Sequence, residues 1–150
     1  MTSTTPLCHT PCVGICSTVY GDDICRGCRR FSDEVVRWNG LSSDEKVSVL
    51  DRLGRLVEVV ILDKIERIDE ALLKSALSRF SVRYYPQHHP YTWVYSLMRA
   101  RREKLEEPNM FEECGVFLKP SYQQIPIRTL LEEMDEELYF MSETLLNKKI

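Results

Sequence analysis

The sequence predicts a mainly α protein: an N-terminal four-cysteine metal-binding loop with two helices, followed by a helical extension. Three observations predict it. Apolar residues recur at steps of three and four from Val47 to Leu72, and again from Ile127 to Leu145. That is the period of a helix with one face turned to a core. Four cysteines crowd into residues 12–28 among glycines, a composition that makes loops rather than regular elements.

The chain has 150 residues, 43% hydrophobic and 29% charged, an ordinary globular balance. Its formal charge is 20 − 23 = −3. So weak a field is not that of a protein built to coat nucleic acid. The first residues, Met1 to Pro6, lack both the basic residue and the following apolar core of a secretory signal. The most apolar run, Leu56 to Leu62, is interrupted by Glu58 and is far shorter than the ~20 residues a membrane span needs. A cytoplasmic protein is expected, whose thiols stay reduced. Clustered cysteines then point to metal or redox chemistry before disulfides.

The elements follow in order. Residues 1–10 are a polar, Thr-rich lead-in, and residues 11–30 form the cysteine loop, with too few apolar side chains to make a core unaided. Ser32 can cap a short helix through Asp33 to Trp38, and Asn39-Gly40 stops it. Ser42 and Glu45 have capping-box spacing. A long helix follows, carrying Val47, Leu50, Leu53, Val57, Ile61, Ile65, Ile68 and Leu72 on one face, with Gly54 as a place for a break. Its β-branched middle could be a strand taken alone; the period on both sides decides for helix. Tyr84 to Trp93 is an aromatic-rich turn with His88 and His89, and Pro90 starts a helix reaching Leu105. Gly115–Lys119 and Tyr122–Ile125 are candidate short strands. A last helix carries Ile127, Leu130, Leu131, Met134, Leu138, Met141 and Leu145, with an acidic opposite face.

The chemistry lies in Cys12-x3-Cys16-x8-Cys25-x2-Cys28. Four thiolates can converge on one ion or cluster if the chain between the pairs folds back, and Gly21-Asp22 supplies the turn. Gly14 and Gly27 permit positive φ, or amides aimed at sulfur. Arg26, Arg29 and Arg30 would offset thiolate charge. A catalytic dithiol at Cys25-Cys28 would be expected between a strand and a helix, and no strand is evident before Cys25.

The segments Pro11-Cys-Val-Gly-Ile-Cys-Ser17, Asp23-Ile-Cys-Arg-Gly-Cys28, Asp33-Glu-Val-Val-Arg-Trp38 and Leu41 to Leu50 closely resemble a small bacterial family. It is catalogued as domain of unknown function 1289 and described as predicted iron–sulfur proteins. The resemblance covers about residues 11–55, leaving 56–150 as a helical extension of no recognised family. All four family cysteines are present, and Arg29 stands where the family often has glycine. The resemblance implies a metal site at Cys12, Cys16, Cys25 and Cys28 and no assigned reaction. Zinc and iron–sulfur clusters both accept four thiolates, and the family description favours a cluster over zinc.

Other features read as structure. Cys8 and His9 lie outside the family block, and Cys114 is an isolated thiol. Arg99, Arg101, Arg102 and Lys104 are diluted by Glu103, Glu106 and Glu107, as on a solvated helix face. No Ser/His/Asp arrangement, phosphate loop or nucleotide fingerprint is present, so no enzymatic reaction is indicated. The leading expectation is an accessory metalloprotein whose centre organises the N-terminal module and presents a surface to a protein partner. Membrane and nucleic-acid partners are not expected. An electron-transfer or redox-sensing iron–sulfur protein is the second reading. A zinc-dependent nucleic-acid binder using the arginines is the third.

Overall fold

A computed structural model describes residues 16–149. Among the described residues the chain is mainly helical with one small sheet. Its elements are α1 (Ser32–Arg37), α2 (Ser43–Leu62), β1 (Ile65–Ile68), α3 (Glu70–Arg79), α4 (Pro90–Leu105), α5 (Met110–Glu113), β2 (Val116–Leu118) and α6 (Ile127–Lys149). Two compact units are formed. Met1–Leu56 and Asp135–Ile150 make the first, and Val57–Met134 the second. Among the described residues, no helix is long and apolar enough to cross a membrane.

In the first unit α1 is short, and its start differs from the expected Ser32 cap. The Glu34 carboxylate accepts the Phe31 amide at 2.9 Å, while the Ser32 amide donates to the Asp23 carbonyl at 2.8 Å. A single 3-10 turn, Trp38–Gly40, follows α1. Helix α2 opens with the expected capping box: the Ser42 amide donates to Glu45 at 2.8 Å and the Glu45 amide to Ser42 Oγ at 3.1 Å. It runs through Gly54 without a break. Arg52 on α2 reaches Glu34 on α1 with two nitrogens, at 2.6 and 2.7 Å, and its guanidinium lies 4.2 Å from the Phe31 ring centroid. This bidentate, largely buried contact ties the two helices together.

The second unit corrects the long-helix expectation. Helix α2 ends at Leu62, and Ile65–Ile68 is a strand. It pairs antiparallel with β2 through Ile65–Leu118, Arg67–Phe117 and Ile68–Val116, with an irregularity between Ile65 and Arg67. The helical period persisted by coincidence of spacing, and pairing with a distant strand overrode it. Lys64 closes the helix by donating Nζ to the Val60 carbonyl at 2.9 Å. Asp69 starts α3 by accepting the Leu72 amide at 3.1 Å. Leu72, assigned to the core face, is exposed, and α3 instead buries Leu73, Ala76 and Leu77. Gly115 has φ 85°, and a Cβ there would come within 2.6 Å of the Asp69 carbonyl oxygen. Only glycine allows this approach of chain to chain.

Of the two candidate strands after Cys114, the first holds as β2. Tyr122–Ile125 instead continues from a 3-10 turn, Pro120–Tyr122. Helix α4 starts at Pro90 as expected, with His89 Nδ1 accepting the Tyr91 amide at 3.2 Å. The core of this unit is built from Trp93, Val94, Leu97 and Met98 of α4 with Leu73, Leu77, Val116 and Leu130.

Candidate metal centre

The cysteine loop is a closed turn. Ile24 and Phe31 form an isolated antiparallel bridge, and both are buried. Within it the Cys25 amide donates to the Arg30 carbonyl at 2.9 Å, and the Arg29 amide to the Cys25 carbonyl at 2.7 Å. The loop therefore has an apolar anchor of its own, which the count of apolar residues had missed. Its two cysteines sit inside: Cys25 is 2% exposed and Cys28 5%.

The chain folds back as the sequence required. A 3-10 turn, Ser17–Tyr20, ends at Gly21 with φ 100°. Ser17 makes the junction. Its Oγ accepts the Arg26 amide at 2.8 Å and donates to the Ile24 carbonyl at 3.4 Å. Its own amide points at the Cys25 sulfur. Cys16 is half-buried, one peptide bond from that amide, with its Sγ 2.8 Å from Thr18 Oγ1. Sequence reasoning passed over Ser17. The available signal was a small hydroxyl residue directly after a cysteine, which can bond to backbone nearby.

Both buried sulfurs are surrounded by N–H donors. Cys25 Sγ accepts the amides of Cys28, Gly27 and Ser17 and is hydrogen-bonded to the Cys28 side chain. Gly27 thus takes one of its two expected roles, an amide aimed at sulfur. Cys28 Sγ accepts the Arg30 amide and the Arg30 Nε, the latter at 3.2 Å. Burial pushes the Cys25 thiol up, but the three amides outweigh it and bring it from 9.0 down to about 7. Burial dominates at Cys28 and holds it above its ordinary value, against the pull of Arg30.

The three arginines do different things. Arg26 is exposed, 3.7 Å from Asp22 and 4.1 Å from the Tyr139 ring centroid. Arg29 has φ 66°, the left-handed region in which glycine is at ease. Arg29 Nη1 donates to the Gly27 carbonyl at 3.1 Å and the Arg26 carbonyl at 3.4 Å, and lies 3.9 Å from Asp135 on α6. Arg30 faces the sulfur.

Cys25 and Cys28 are thus brought together. Among the described residues, no group of three or more His, Cys, Asp or Glu is placed to hold a metal ion. Cys12 and Cys8, with His9 and Gly14, lie outside the described residues. The residues present fit a metal–thiolate centre in their donor chemistry. The amides at the Cys25 sulfur favour its anion, the form that ligates metal, and Arg30 pulls Cys28 the same way against its burial.

The other features are structural. Cys114 is fully buried, and burial raises its thiol. Trp93 Nε1 donates to the Tyr85 carbonyl at 3.0 Å, and His88 packs on Tyr85 with ring centroids 5.1 Å apart. Arg99 donates to Tyr95 Oη at 3.2 Å, and Lys104 pairs with Glu107 at 3.2 Å.

Fold and site together define a mainly helical protein whose N-terminal region carries a buried cysteine turn. Residues 10–56 match the model of a family described as Protein of unknown function (DUF1289), the family that the cysteine block resembles. No curated protein and no solved structure matches the chain.

Proposed function

We propose that Cys12, Cys16, Cys25 and Cys28 hold one metal centre, an iron–sulfur cluster or a zinc ion. In this reading the protein is a small cytoplasmic accessory metalloprotein. The centre organises the N-terminal module, about residues 11–55, and the module presents a surface to a protein partner. The observation that supports this most is the ring of N–H donors about the Cys25 and Cys28 sulfurs. A buried thiol with no use as a ligand needs no such arrangement. Free cysteine ordinarily packs as a small hydrophobe. Four thiolates around a cluster or a divalent ion carry net negative charge, and N–H donors aimed at sulfur disperse it. The centre, when bound, supplies cross-links between the two halves of the loop and, as a cluster, one-electron chemistry. Between the two metals we place the cluster first, on the description of the family that the sequence resembles.

The test is metal content per chain in six single cysteine-to-serine variants. Serine at Cys12, Cys16, Cys25 or Cys28 should abolish metal retention. Serine at Cys8 or Cys114 should leave it near the wild-type level. If Cys8→Ser lost the metal while one of the four kept it, the ligand set would be wrong.

A further inference from the structure

Arg30 is 4% exposed, a charged side chain taken almost wholly out of water. Burying a cation is costly unless an anion or a strong acceptor meets it. Its Nε donates to the Cys28 sulfur at 3.2 Å. Its guanidinium carbon lies 4.9 Å from the centroid of Trp38, itself 6% exposed. The guanidinium thereby meets both an aromatic ring and a sulfur, two groups that favour a cation beside them. The backbone of the same residue accepts from the Cys25 amide and donates to the Cys28 sulfur. Arg26 and Arg29 have other engagements, with Asp22 and Tyr139 and with Asp135 and the loop carbonyls. Any residue could supply the Arg30 backbone bonds. The side chain adds a positive charge fixed against one ligand sulfur.

We propose that Arg30, seated on Trp38, is the charge partner of the cysteine centre and sets how firmly that centre holds its metal. It is a positioning residue that acts through Cys28. The inference rests on the four-cysteine reading. Its content is distinct: one named cation beside one named sulfur accounts for a share of the centre's stability. The guanidinium withdraws electron density from Cys28 and offsets part of the thiolate charge. Removing it should weaken metal retention and raise the energy of the sulfur electrons. Partners of this kind, just behind metal ligands, are typically worth about 10- to 100-fold in metal affinity. Trp38 matters less directly, as the ring the guanidinium lies over.

The experiment compares the full-length protein as purified with Arg30→Gln and Arg30→Lys. The first readout is the rate of metal loss to a chelator. The second is the position of the sulfur-to-metal charge-transfer absorption. Arg30→Gln should lose metal at least about tenfold faster, and its charge-transfer band should move to longer wavelength. Arg30→Lys keeps the charge and should recover most of the retention. A merely structural arginine would leave the band of loaded protein in place and would not be rescued by lysine. Equal rates in wild type and Arg30→Gln overturn the proposal. So does Arg30→Lys losing metal as fast as Arg30→Gln. If Arg30→Gln does not fold, the lysine variant decides alone: an unshifted band with metal loss tenfold faster than wild type overturns the proposal. A wild-type protein that carries no metal overturns the four-cysteine reading itself, an outcome separable from all of these.

Discussion

At the scale of the residue, Arg29 shows how one side chain can hold two opposing effects. Its left-handed φ of 66° is unfavourable for any residue with a Cβ. Its guanidinium repays part of this through the carbonyls of Gly27 and Arg26 and through Asp135. Arg29→Gly removes both the strain and the contacts, whereas Arg29→Ala removes the contacts and keeps the strain. The glycine variant should therefore be the more stable of the two, by about 1 kcal/mol. Chemical denaturation of both proteins checks this. Alanine equal to or better than glycine would contradict the left-handed assignment. A single sequence could not show this. Arginine carries no signal of positive φ, and only the resemblance to a family with glycine there hinted at it.

The elements were legible where local chemistry decides them. Ser42 and Glu45 announced the start of α2, and Pro90 the start of α4, because a cap and a proline act on their own neighbours. Ile65–Ile68 was illegible, since its pairing partner lies at Val116–Leu118 and apolar spacing cannot report on it. Ser32 misled because α1 begins one residue earlier than a Ser32 cap requires, with Phe31 at the N-cap and its amide donating to Glu34. The capping box also has a pH signature. The Ser42 amide and side chain hold the Glu45 carboxyl below its ordinary value. A carboxyl lowered in the folded state contributes stability above the pKa of the unfolded chain. That contribution is lost as pH falls through the folded value. Wild type should thus melt above Glu45→Gln at about pH 7, and the gap should narrow as the pH falls below the ordinary carboxylate range. A gap of constant size across that range would show that the charge of Glu45 has no part in the cap.

For the whole molecule, the mainly helical class and the cysteine-bearing N-terminal region follow from period and composition, and the structure carries both. The division into units was less accessible. Helix α6 contributes Ile127–Met134 to one unit and residues 135–149 to the other, yet its apolar period runs through the change unbroken. Leu130, Met134 and Leu138 are all buried, and periodicity alone cannot tell in which unit. The cysteine turn was legible as a cluster of ligand-type residues. Its buried lining of amides and Arg30 was not, because it depends on backbone directions that composition does not encode. The central claim is that this turn belongs to a metal centre. The direct measurement is iron, zinc and acid-labile sulfide per chain in protein made and purified without oxygen. Iron with matching sulfide is the predicted result. Zinc at one per chain without sulfide would keep the centre and change its metal. A folded, gently purified protein with none of these would contradict the account.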